Sequence, residues 1–286
     1  METRKLGRTG QESSLLVFGS FALFHMTQTE ADRVIELALK HGVNHVDVSP
    51  VYGGAEERLG SYFKRHGTPF FIGCKTDERE KEGAWESIKR SLETLHADRF
   101  DLFQLHGVDS MEVLDVILGP GGAMEAVMEA QDQGLIGSIG ITGHNPVFQN
   151  EALERFAFDT VMFPLNRVHA ASFNDWNDWR PLLEKARQRE AGVLCIKSVA
   201  KRSWPSQDHK DYNTWYEPFD APDDLRKSLR YTLSQDITAA VLPGESRLWP
   251  VLLDAADTFT PMSESEQAAV VAEAGAYQPL RGPRMD

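Results

Sequence analysis

The chain has 286 residues and a formal charge of −13, from 30 Lys and Arg against 43 Asp and Glu. That acidic balance argues against nucleic acid or an anionic membrane surface as the main partner. The length suits one α/β barrel over its whole extent, since such barrels commonly need about 250 residues.

Eight short apolar or β-branched runs are predicted as strands. They are SLLVF (14–18), VNHVDV (43–48), FFIGC (70–74), FDLFQL (100–105), IGSIGI (136–141), DTVMF (159–163), GVLCI (192–196) and ITAAVL (237–242). After the first, a cap at Thr27 or Thr29 opens a helix with Ala31, Val34, Ile35, Ala38 and Leu39 on one face, stopping at Gly42. Further helical periodicity covers 55–65, 82–95, 122–133, 147–156, 174–190, 222–234 and 247–256, and a last helix near 263–274 precedes a polar tail. Strands and helices thus alternate with a step of roughly 30 residues, the length of a strand, a helix and two short loops. The pattern reads as α/β, a closed (β/α)8 TIM barrel; with no GxGxxG after the first strand, a doubly wound sheet is the weaker reading.

No run approaches the roughly 20 apolar residues of a membrane span, and METRKLGRTG lacks the apolar core of a signal peptide. Cys74 and Cys195 fall inside predicted strands, which suits buried thiols in a reducing, cytoplasmic compartment. None of the histidines has metal-ligand spacing, so no metal is expected.

The chemistry lies at the strand ends. Asp47 follows VNHV, Tyr52 stands five residues on, Lys75 follows FFIGC and His106 follows FDLFQL. On neighbouring parallel strands these four side chains meet at one rim, where such enzymes carry their active sites. A free tyrosine, with a pKa of about 10, is a poor acid at neutral pH. A lysine ammonium beside the phenol favours the phenolate, and a buried aspartate keeps that lysine charged, so Asp47 and Lys75 together make Tyr52 a usable proton donor. His106 can add a hydrogen bond to a polarised carbonyl oxygen. The longest interval, 198–221, is rich in aromatic and polar residues, and the loops at 20–26 and 107–121 join it as candidate substrate loops.

These residues carry a resemblance. GVNHVDVSPVYGGAEERLG is similar to the first signature of the aldo-keto reductase superfamily, which sets Asp and Tyr five residues apart before a helix carrying Glu. Lys75 in FFIGCKT and His106 in DLFQLHGVD stand where that family has its other two catalytic residues. GLIGSIGITGHN resembles its fifth-strand segment, and RKLGRTGQESSLLVFGS resembles the hairpin closing its barrel floor. The likeness runs from about residue 3 to about 255. It implies a nicotinamide cofactor, NADP(H) by default with NAD(H) as the alternative, and hydride transfer to or from a small-molecule aldehyde, ketone or alcohol. Tyr52 would be the general acid, tuned by Asp47 and Lys75, with His106 orienting the carbonyl. A monomer or weak homo-oligomer is expected.

The resemblance also implies cofactor contacts. They are Gly19; Thr142, in place of a Ser; Gly143, in place of an Asn, with His144 or Asn145 as substitutes; and Asn166, near a Met162 that replaces a Gln. Lys197 stands in place of a stacking Tyr and Ser198 in a pyrophosphate position. Pro243, Gly244, Glu245 and Arg247 follow the eighth strand, where Glu245 would repel a 2′-phosphate or accept a ribose hydroxyl. Glu56 would reach the adenine end. Phe21, Phe24, Trp204, Trp215 and Tyr216 are expected to line the substrate pocket. Two other readings are a Schiff-base aldolase using Lys75 and a non-catalytic subunit that senses redox state through a bound cofactor.

Overall fold

The computed structural model describes residues 1–206 and 210–280; part of the 198–221 interval (207–209) and the tail after 280 lie outside the described residues. The chain opens with an antiparallel hairpin, β1 (Thr3–Lys5) and β2 (Glu12–Ser14). Barrel strands follow: β3 (Leu16–Gly19), β4 (His45–Asp47), β5 (Phe71–Thr76), β6 (Phe100–Leu105), β7 (Ile136–Thr142), β8 (Thr160–Pro164) and β9 (Gly192–Ile196). A second hairpin, β10 (Ala200–Arg202) and β11 (Glu217–Pro218), precedes β12 (Ala239–Val241), which closes the parallel barrel in the order β12-β3-β4-β5-β6-β7-β8-β9. All eight predicted runs are therefore barrel strands, though Ser14 of the first belongs to the hairpin.

The outer ring contains α1 (Gln28–Lys40), α2 (Ala55–His66), α3 (Lys81–Leu95), α4 (Met111–Leu118), α5 (Ala123–Asp132), α6 (Pro146–Arg155), α7 (Arg167–Ala171), α8 (Arg180–Gln188), α9 (Pro222–Leu233), α10 (Trp249–Asp257) and α11 (Glu264–Ala274). Thr27 caps α1 in a reciprocal pair with Glu30, and Ser263 with Glu266 does the same for α11. Two expectations change. The helix predicted over 174–190 begins only at Arg180, because Asn174 accepts from the Trp176 amide and Asn177 from the Asn174 amide. Short polar side chains compete in this way with helical hydrogen bonds. Within the predicted loop 107–121, Ser110 caps the two-turn helix α4, too short for its periodicity to stand out.

Strand alternation builds two cores. Outward residues such as Phe18, Val46, Cys74, Phe103, Phe163 and Cys195 pack against the helices. Inward ones, among them Val17, Leu102, Met162, Leu194 and Val241, fill the barrel with Leu6 from the hairpin turn. Leu6 is fully buried, and any side chain at Gly192, the first residue of β9, would collide with it, so Leu6 plugs the amino-terminal mouth. Arg8 fastens the hairpin there by donating to Asp159 at 2.9 Å and to the Phe158 carbonyl at 2.8 Å. Leu6→Ala is expected to cost about 2–5 kcal/mol by leaving a cavity. Denaturant unfolding measures it, and a loss below about 1 kcal/mol would deny the plug.

With the floor closed by apolar packing, the carboxyl ends of the strands are left to carry polar side chains. No helix among the described residues is long and apolar enough to cross a membrane.

Candidate active site

Asp47 ends β4 and Lys75 lies one residue from the end of β5, so both point into the barrel at its upper mouth. Asp47 pairs in register with Gly73, and Lys75 with Gln104 on β6. The Lys75 amine donates to Asp47 Oδ2 at 2.5 Å, and Gln104 Nε2 donates to Asp47 Oδ1 at 3.2 Å. Both ions are almost fully buried, which is tolerable only because each is met by hydrogen-bonding partners.

Tyr52 is brought in by the loop after β4. Its amide bonds back to Ser49, and Gly53 then turns with φ +55°, a conformation open to glycine, where a side chain would strike the Phe24 ring. The turn leaves Tyr52 Oη accepting from the Lys75 amine at 3.0 Å. His106 follows β6, and its ring stands edge-on to Tyr52 with centroids 5.9 Å apart. Phe21 closes the other side of the phenol at 5.4 Å.

The electrostatics refine the expectation of an acidified phenol. Burial pushes the Tyr52 hydroxyl above the ordinary value, Lys75 pulls against it, and burial wins. Tyr52 therefore rests as a phenol, the form that can give a proton. Desolvation works against the Lys75 ammonium, but Asp47 and Tyr52 together outweigh it and hold it charged. A lysine so held is no nucleophile, which weighs against the Schiff-base reading. Burial, followed by the nearby Lys75 charge, keeps the His106 imidazole neutral.

These four residues open onto a cavity of about 520 Å³. Of the expected cofactor contacts, Gly19, Thr142, Gly143, Lys197, Pro243 and Gly244 line it. Four do not. Asn166 is fully buried, capping α7 through the His169 amide and donating to the Lys197 carbonyl at 3.1 Å. Ser198 is buried behind the wall. Both Glu245 oxygens are taken by Arg247 and by the Asn213 amide, and Arg247 is spent on that carboxylate at 2.9 Å. Glu56, expected at the adenine end, is likewise absent from the cavity lining: it is buried beside Cys74 and Ser91, between α2, α3 and β5. Of the aromatic residues expected there, Phe21, Trp204, Trp215 and Tyr216 line the cavity, while Phe24 lies behind Phe21 at 5.3 Å.

His144, expected as a substitute beside Gly143, also lines the cavity, and its partner Asp109 stands behind it. His144 and Asp109, joined at 2.8 Å, stand on the loops after β7 and β6, and Asn145 beside them is spent capping α6. The GITGHN segment carried the His144 signal, but its partner lies 35 residues earlier in chain, where only folding could supply it. Leu280, from the polar tail, also lines the cavity, and nearby Tyr277 stands edge-on to Phe219 with ring centroids 5.2 Å apart.

The sequence matches the Aldo/keto reductase family over residues 15–273. It is 25% identical over 280 residues to the uncharacterized oxidoreductase YqkF of Bacillus subtilis, covering 87% of this chain and 88% of that protein. It is 31% identical over 216 residues to the L-galactose dehydrogenase of Arabidopsis thaliana, covering 70% and 66% respectively. The fold superposes on the holo form of the aldo-keto reductase AKR11C1 from Bacillus halodurans with a TM-score of 0.72, at 22% identity and 96% coverage of both chains. With the tyrosine, lysine, aspartate and histidine gathered at the mouth of a closed eight-stranded barrel and the match spanning most of its length, this chain belongs to the aldo/keto reductase family of oxidoreductases.

Proposed function

We propose that the protein moves hydride between a nicotinamide cofactor and an aldehyde or ketone, with Tyr52 as the general acid. The observation that carries this reading is the chain of contacts from Asp47 through the Lys75 ammonium to the Tyr52 hydroxyl, 2.5 and 3.0 Å long, at the edge of a cavity. In reduction Tyr52 gives its proton to the carbonyl oxygen, and the adjacent ammonium stabilises the phenolate left behind. His106, held neutral, can donate a second hydrogen bond to that oxygen. Asp47 keeps Lys75 charged and Gln104 anchors Asp47. The cofactor supplies the hydride, or accepts it in the reverse reaction.

The residues present fit such a group. The cavity is of ligand size, and Gly143 and Gly244, where a Cβ would strike Gln149 and Phe21, line it with backbone alone. Thr142, Gly143, Pro243 and Gly244 would hold it. After β12 the sole nearby cation predicted from sequence, Arg247, is already neutralised by Glu245, which favours NAD(H) over the NADP(H) default. Glu245→Gln is expected to raise affinity for NADPH relative to NADH by about tenfold through removal of a like charge. Titrations of both cofactors by nicotinamide fluorescence measure the ratio, and an unmoved ratio would refute the assignment.

The same titrations test the function. A fluorescence change with neither NADH nor NADPH would remove both this reading and that of a cofactor-sensing subunit, and binding without turnover of any carbonyl would favour the latter. The substrate panel begins with sugar-like hydroxyaldehydes, because a plant relative is named for L-galactose. Aromatic aldehydes follow, since Phe21, Trp204, Trp215 and Tyr216 give the cavity an aromatic wall.

A further inference from the structure

Lys197 is the unexplained residue of the cavity. It follows β9 with φ +61°, an uncommon conformation for a residue with a side chain, and its carbonyl is held there by Asn166 Nδ2 and the Ala200 amide, both at 3.1 Å. The lysine lines the cavity, and its amine has no hydrogen-bond or ion-pair partner among the described residues. Lys75, by contrast, is neutralised by Asp47. In the closed barrel β5 and β9 lie four strands apart, so the two lysines face each other across the mouth.

That placement has a consequence if the chain transfers hydride as proposed above, a reading on which this inference rests. A carbonyl that takes its proton from Tyr52, on the β4–β5 side, must meet the hydride donor from elsewhere. The opposite wall is Met162, Ile196 and Lys197. The oxidised nicotinamide ring carries a positive charge and the reduced ring none, while the rest of the cofactor is the same in both. We propose that Lys197 makes this cavity sense the redox state of the cofactor, disfavouring the cationic oxidised ring and coupling its binding to loss of a proton from the lysine amine.

The surroundings make Lys197 the group that titrates. Burial brings its amine down to about 8, against the pull of Asp109. Facing it are Asp109 and His144 from the loops after β6 and β7 and His169 from α7; Lys75 and His106 stand across the mouth and Lys210 also lines the cavity. Burial works against the Asp109 carboxylate, yet His144 and two backbone amides keep it ionised. Burial foremost holds His106, His144 and His169 below the usual histidine value, so all three are neutral above pH 7. Lys75 stays charged. Between pH 7 and 9 Lys197 passes from ammonium to amine, and repulsion of the oxidised ring fades.

The test compares dissociation constants of oxidised and reduced cofactor at pH 7 and pH 9 by isothermal titration, with the released proton read from two buffers of different ionisation enthalpy. For the wild type the ratio of oxidised to reduced constants is expected to fall about tenfold from pH 7 to 9. Lys197→Met should give a low ratio at both pH values and no proton release. Lys197→Arg should give a high ratio at both, because arginine keeps its charge; Lys210 is untouched in either variant. A pH-independent ratio in the wild type, or a fall that persists in Lys197→Met, would overturn the inference and leave hydride transfer standing. Failure of both cofactor forms to bind would overturn both.

Discussion

Tyr52→Phe is expected to lower the rate of carbonyl reduction by about 10²–10⁴-fold while changing cofactor affinity less than about threefold, since the substitution removes one oxygen and keeps the ring between Phe21 and His106. Steady-state kinetics with a saturating reduced cofactor, beside a fluorescence titration, separates the two effects. The wild-type pH profile supplies a second check. The acid must be protonated to act, and burial raises Tyr52 above 10.0, so reduction should hold level through neutrality and decline only under strongly alkaline conditions. Near-normal turnover by the phenylalanine variant would refute the assigned acid.

Lys75→Met should damage both activity and stability, and a double substitution tells the causes apart. Removing the ammonium strands the Asp47 carboxylate, which is 2% exposed, and breaking a buried pair from one side costs about 3–5 kcal/mol. The Tm should fall by roughly 5–15 °C. Adding Asp47→Asn removes the stranded charge, leaving an amide that can still meet Gln104, and is expected to restore most of the lost stability. Activity should stay at least about 10²-fold down in the double variant, because no ammonium remains to stabilise the phenolate. Recovery of activity together with Tm would make the pair a structural brace and nothing more.

Much of this architecture could be read from local pattern. Each barrel strand announced itself as an apolar run, because a strand buried on both faces has little use for polar residues. The cap at Thr27 with Glu30, and the stop at Gly42, are likewise signals carried within one turn of chain. Helices α4 and α7 went unseen because eight and five residues hold too few periods to distinguish a helical face. The segment 174–179 reads as helix in sequence because its apolar spacing is helical, while its asparagines fold the backbone into turns.

The candidate site divides along the same line. By itself the sequence determined that Asp47, Lys75 and His106 would stand at one rim, since parallel strands repeated every 30 residues or so must all end on the same side, and that Tyr52 would follow a few residues behind Asp47. The tertiary structure decided the rest. Burial set Tyr52 above the usual phenol range and His106 below the usual imidazole range, and burial is a property of what the other strands bring. Packing turned Asn166, Ser198 and Phe24 away from the cavity, paired Glu245 with Arg247, joined His144 to Asp109, brought Leu280 to the cavity wall and left the Lys197 amine without a partner among the described residues. The reason is physical: a strand's position follows from its own residues, but a side chain's charge and company are fixed by neighbours that the fold gathers from distant parts of the chain.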